Sequence, residues 1–175
     1  METAIVSIIC VALIVVGGMT MSQSFLSSVD STAVGLSNVS QIDEKILRTN
    51  ISVLGTSQPS SARVELSLRN SGQIKLNDFD KWDFIIQYTD GGGNYFVKWL
   101  PYTTGSPADN QWGVKGIYMD ASGGDAEVFE PGILNPGEEI ILRARVNPSV
   151  GEGTTNMVTV STPSGVTASA LFIRN

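Results

Sequence analysis

The sequence predicts an α+β protein in which one long, apolar N-terminal helix precedes an antiparallel all-β domain. Three observations predict it. Residues Thr3 to Val29 carry no Asp, Glu, Lys or Arg. From Leu26 onward, Leu26, Val29, Ala33, Leu36, Val39, Ile42 and Ile46 recur at steps of three and four, which is a helical period. From Asn50 onward the apolar period drops to two, as in half-buried strands. The chain therefore divides into a helix over 1–49 and a β-domain over 50–175.

The helix has two halves. Ala4 to Met19 is almost wholly apolar, and Ile5, Val6, Ile8, Ile9, Leu13 and Val16 cover every face rather than one stripe. A helix apolar all round is buried in lipid or in protein. This block spans roughly 24 Å at 1.5 Å per residue, a little short for a bilayer core. The uncharged continuation through Gln23, Phe25 and Leu26 supplies the missing turns. After Gly17-Gly18 the pattern becomes amphipathic, with Leu26, Val29, Leu36 and Ile42 on one face, expected to pack against the β-domain. Gly35 weakens that half by about 1 kcal/mol. The chain opens Met1-Glu2 with no basic residue before the apolar run, which fits a secretory signal peptide poorly.

Eight strands are expected in the rest. Ile51–Leu54 comes first, then Ala62, Val64, Leu66 and Leu68 alternate with polar residues. Trp82, Phe84, Ile86 and Tyr88 form the next run. Tyr95, Val97 and Trp99 follow the turn Asp90-Gly91-Gly92-Gly93-Asn94 and are expected to face inward. Val114–Met119, the Ile140–Val146 run, Val158–Val160 and Val166–Phe172 complete the set, with Pro101 to Gly113 as a long exposed loop. Short strands separated by turn signals, with no helical period among them, indicate an antiparallel sandwich or barrel. Ile85, Phe96, Ile141, Leu171 and Ile173 then fall on outward positions, either as a patch resting on the helix or on neighbouring subunits or as a sheet face covered by a loop.

Composition excludes several functions. The net charge of −6 and the absence of a basic cluster disfavour nucleic acid. There is no histidine, which removes His-dependent nucleophile and metal sites. The single cysteine, Cys10, lies in the apolar run and reads as a small hydrophobe. Asp78, Asp80 and Asp83, and Asp120, Asp125, Glu127 and Glu130, read as solvated loop carboxylates because neither group has the spacing of a calcium loop. No catalytic residue, metal ligand or cofactor is expected, and no enzymatic activity. Asn38-Val39-Ser40 and Asn50-Ile51-Ser52 fit the N-glycosylation pattern, Asn50 being better placed at the helix-to-strand junction.

Taken together, the run Glu2-Thr3-Ala4-Ile5-Val6-Ser7-Ile8-Ile9, its continuation through Val16 and the amphipathic tail to Arg48 resemble the archaellin and archaeal type IV pilin superfamily. Leu68-Arg69-Asn70-Ser71-Gly72, followed by Phe79-Asp80-Lys81-Trp82-Asp83, is similar to the sandwich heads of archaellum-associated proteins. The sequence departs from bacterial-type pilins in having Ile5 where they carry Glu at the fifth mature position, which favours an archaellin-like subunit, and no short basic leader precedes the apolar block. The resemblance implies an immunoglobulin-like sandwich head. It also implies a homopolymer built through the N-terminal helices, with the chain waiting in the cytoplasmic membrane until an assembly ATPase and platform machinery extract it. The product would be an extracellular cell-surface filament for swimming. The alternatives are an adhesive type IV pilus subunit and a monomeric, membrane-anchored surface or stator sandwich. A further rival, a carbohydrate-binding module, would use Trp112 in the long loop, since Trp82 and Trp99 are expected in the core.

Overall fold

The structure is a computed structural model that describes residues 2–175, apart from the side chains of Glu2 and Asn38. It forms two compact units that divide between Asp43 and Glu44. The helix α1 (Glu2–Arg48) makes up the first and enters the second with its final turn. At 1.5 Å per residue its contour is about 70 Å. The hydroxyls of Ser7, Thr20, Ser24, Ser31 and Thr32 donate to carbonyls three or four residues earlier, at 2.8–3.0 Å. Such back-bonding lets a hydroxyl sit in an apolar environment without water.

Among the described residues nine strands follow: β1 (Ile51–Ser60), β2 (Arg63–Asn70), β3 (Asp83–Thr89), β4 (Tyr95–Leu100), β5 (Gln111–Asp120), β6 (Asp125–Ala126), β7 (Glu139–Arg145), β8 (Thr155–Ser161) and β9 (Thr167–Ile173). They form two antiparallel sheets, ordered β1-β2-β7-β5-β6 and β4-β3-β8-β9. Read as A, B, E, D and C′, C, F, G, that order is the immunoglobulin arrangement. The α+β fold with an immunoglobulin-like sandwich is thus present. The strand beyond the eight expected is the two-residue β6, too short to show a period.

Alternation decides which side chains fill the space between the sheets. Val64, Leu66 and Leu68 of β2 and Ile140, Leu142 and Ala144 of β7 are fully buried. Across from them lie Phe84, Ile86 and Tyr88 of β3 with Val158 and Val160 of β8. Burial pushes the Tyr88 phenol up to about 12, helped by the charge of Asp90, so it stays protonated. A short 3-10 turn over Phe79–Lys81 closes one end, placing Phe79 edge-on to Trp82 at 5.2 Å.

Two expectations for the tryptophans are corrected. Strand β4 has the opposite phase to the one expected: Tyr95, Val97 and Trp99 face outward, 59–63% exposed, while Leu100 is buried. Trp112 belongs to β5 rather than to an exposed loop and is fully buried, stacked on Phe84 at 5.5 Å. An indole locked in the core offers no platform for a sugar.

The outer face of the first sheet carries charge. The Glu65 carboxylate is nearly inaccessible and accepts hydrogen bonds from Lys115 Nζ at 2.9 Å and Arg143 Nε at 2.8 Å. Burial raises its pKa, but the two cations together outweigh this and hold it below the ordinary glutamate value of 4.5. A carboxyl with a lowered folded-state pKa adds stability above the unfolded pKa and loses it as pH falls through the folded value. Glu65→Gln is therefore expected to lower the melting temperature at pH 7, leaving two cations without their counter-charge. The gap from wild type should close as pH drops below about 4. Thermal melts across pH 2–8, which have to show a gap that shrinks with acid, check this.

Candidate assembly surface

The side chains expected to pack a filament core sit together on α1 and are all open to solvent in the single chain. Ile5, Val6, Ile8, Ile9, Leu13 and Val16 are 53–69% exposed. Leu26, Val29, Leu36 and Ile42, expected to pack against the β-domain, are 47–67% exposed. The apolar window of the helix has none of its residues buried. Covering about ten large aliphatic side chains is worth roughly 15–30 kcal/mol gross. The uncharged stretch from Thr3 to Val29 is about 40 Å long, enough to cross a bilayer core of about 30 Å. Its Cys10 is exposed with the rest of this surface and is free.

The last residues of the helix belong to the second unit. The last turn is capped by Thr49, which is buried and whose hydroxyl donates to Lys45 O at 2.7 Å. The backbone then docks on the turn that leaves β2: Gln73 N donates to Arg48 O at 2.8 Å and Ser71 N to Asn50 O at 3.0 Å. Gly72 lies between these two bonds. A Cβ there would fall 2.5 Å from Asn50 N and 2.6 Å from Arg48 O, so only glycine fits. Asn70, fully buried, holds the turn by donating from Nδ2 to Ile74 O and Leu134 O while its Oδ1 accepts from Gly72 N. The stretch Leu68-Arg69-Asn70-Ser71-Gly72 is therefore the socket for the helix terminus. Sequence reading found the segment but not its role, which depends on backbone atoms brought together from separate parts of the chain.

Asn50 is exposed at this junction, immediately before β1. The side chain of Asn38, the other glycosylation candidate, lies outside the described residues. Several of the loop carboxylates have local partners. Asp78 pairs with Lys81, Glu130 with Lys75, and Asp120 accepts from Ser122 and Gly123. The hydrogen bonds that hold the Asp120 turn also lower that carboxyl's pKa, those of Ser122 most. Among the described residues no group of His, Cys, Asp and Glu is placed to hold a metal ion.

No protein-family profile matches the sequence, and no curated protein matches it. Solved structures do resemble it. The archaellum periplasmic stator protein FlaG from Sulfolobus acidocaldarius aligns with a TM-score of 0.52 at 18% identity, over 71% of this chain and 99% of that one. The complex of the stator proteins FlaF and FlaG from the same organism gives 0.51 at 17%, over 70% of this chain and 87% of that one. The archaeal flagellum of Methanospirillum hungatei strain JF1 gives 0.61 at 14%, over 97% of this chain and 91% of that one. At such identities the likeness is one of fold: a long apolar helix and a two-sheet sandwich whose structural neighbours are components of the archaellum.

Proposed function

We propose that this chain is a structural, non-enzymatic subunit of an archaellum-like filament outside the cell, polymerising through its N-terminal helices to serve swimming motility. One observation carries the reading. The Ala4–Met19 block of the helix is apolar on every face and exposed along its length, so it has to be enclosed by lipid or by other chains. The filament neighbour supports enclosure by other copies, because its match takes in 97% of this chain, helix and sandwich together. Before assembly the uncharged stretch is long enough to hold the subunit in the cytoplasmic membrane, from which an assembly ATPase and a platform protein would pass it to the growing base.

The periplasmic stator proteins support a second reading, in which the helix remains in the membrane and the sandwich acts outside it as a fixed part of a motor. An adhesive pilus would use the same helix bundle. Electron microscopy of material sheared from cells, with immunogold against the sandwich, separates these. Fibres labelled along their length are expected. Label confined to the membrane fraction, with unlabelled fibres or none, would favour the stator reading and end the filament one.

A further inference from the structure

The two outer faces of the sandwich differ in kind. The outer face of the β1-β2-β7-β5-β6 sheet carries ion pairs, including Glu65 with Lys115 and Arg143, and Arg145 with Asp109. The outer face of the β4-β3-β8-β9 sheet carries none in its interior. Strand register sets its rows. Val97 lies beside Gln87, Gln87 beside Met157, and Met157 beside Leu171. In the flanking rows Trp99 neighbours Ile85, and Tyr95 shares a strand end with Thr89. Tyr95, Val97, Trp99, Leu171 and Ile173 are 55–65% exposed, and the one acid on this face, Asp83, sits at its rim.

Several polar atoms of this face are satisfied by one another. Tyr95 Oη donates to Gln87 Oε1 at 2.8 Å, Trp99 Nε1 donates to Asp83 Oδ1 at 2.8 Å, and the hydroxyls of Thr159 and Ser169 are paired at 2.8 Å. Removing these paired groups from water strands none of their bonded atoms, which lowers the desolvation penalty.

We infer that this face is a docking surface for the same face of a second copy of the chain. Charge limits where a second copy can sit. Each copy carries a net charge of −6, so two copies repel wherever acidic surfaces oppose, and this neutral face is where they can meet without opposing charges. Shape favours the same face. A twofold axis between the faces, parallel to the strands, lays Val97 over Leu171 and Tyr95 over Ile173, apolar on apolar. At strand spacings of about 4.8 Å and about 3.3 Å per residue, with side-chain margins, the face covers about 400 Å². Two copies then bury about 800 Å² in all, below the size of a stable dimer and within the range of transient contacts. Such a contact closes at two, whereas the helix surface, if it polymerises, is open-ended. The faces would therefore join heads laterally, between neighbouring filaments or between chains held in one membrane, where a high effective concentration compensates for weak affinity.

The test uses the full chain, solubilised in detergent so that each micelle holds one helix, with Cys10→Ser as background. Met157→Cys on this face and Ser67→Cys on the opposite outer face are each treated with a short bis-maleimide. Covalent dimers are expected from Met157→Cys and not from Ser67→Cys. Adding Val97→Lys and Leu171→Lys should cut dimer yield at least tenfold, whereas adding Ile9→Asp should leave it unchanged. Raising salt should increase yield, since it screens repulsion and weakens no ion pair. Absence of Met157→Cys dimers, or equal yield from Ser67→Cys, overturns the proposal and leaves the face to a different protein or to lipid. Loss of dimers with Ile9→Asp but not with the lysines shows pairing through the helix and overturns it as well. Because the assay needs no filament, failure of the filament reading leaves its outcome untouched.

Discussion

Ile9→Asp is expected to abolish filaments while leaving the sandwich folded. Ile9 is 53% exposed in the single chain and lies within the apolar block, so in a helix bundle it would face neighbouring chains. A carboxylate enclosed among helices without a partner costs about 3 kcal/mol or more, whereas in lipid local thinning and water defects relieve it. Each 1.4 kcal/mol is a factor of ten, so the concentration needed for assembly should rise about a hundredfold or more. In a polymer every subunit carries the defect, and no copy can be placed to avoid it. The rest of the apolar block should still hold the variant in membranes. All three tryptophans lie in the second unit, so their fluorescence reports the sandwich alone and should match wild type. Filaments in normal yield from a variant that reaches the membrane would show that this helix is not the assembly surface.

Most of this architecture was legible because two periods are hard to mistake. The uncharged run from Thr3 and the three-and-four spacing after it specify a helix, and α1 covers both halves without a break at Gly17-Gly18 or Gly35. The alternation in β2, β3 and β7 likewise fixed which side chains enter the core. Strand β4 was misread because its residues are apolar on both faces. In Tyr95-Phe96-Val97-Lys98-Trp99-Leu100 the period alone gives no phase, and lysine was the only polar marker. Lys98 occupies an inward-phase position because it lies at the sheet edge, where its Nζ donates to Asn110 Oδ1 at 3.0 Å and also reaches the carbonyl of Asn147. Alternation places Ile85, Leu171 and Ile173 on the outward side. The inverted phase of β4 adds Tyr95, Val97 and Trp99 and makes the face continuous.

Trp112→Ala is expected to be the most damaging substitution in the sandwich, and it separates a core role from a ligand role. The indole is fully buried between Phe84 and Tyr102, with ring centroids at 5.5 and 5.0 Å. Sequence reading placed it in a loop because Gly113 and the nearby prolines look like turn signals. Gly113 is instead a close-approach position inside a strand. A Cβ there would lie 2.6 Å from Thr103 O, so the glycine lets the preceding loop fold back against β5. That fold-back is fixed by Thr103 N donating to Trp112 O at 2.8 Å and Trp112 N donating to Pro101 O at 3.1 Å. Removing the side chain leaves a cavity under this crossing and costs about 3–5 kcal/mol. The melting temperature should fall by roughly 10–20 °C. Trp112→Phe should cost much less, because the indole N–H has no hydrogen-bond partner among the described residues and a phenyl ring keeps most of the contact with Phe84. Thermal melts of the three chains give the ranking. Equal stability of Trp112→Ala and wild type, together with a loss of sugar binding, would return this residue to the surface role that its burial now denies it.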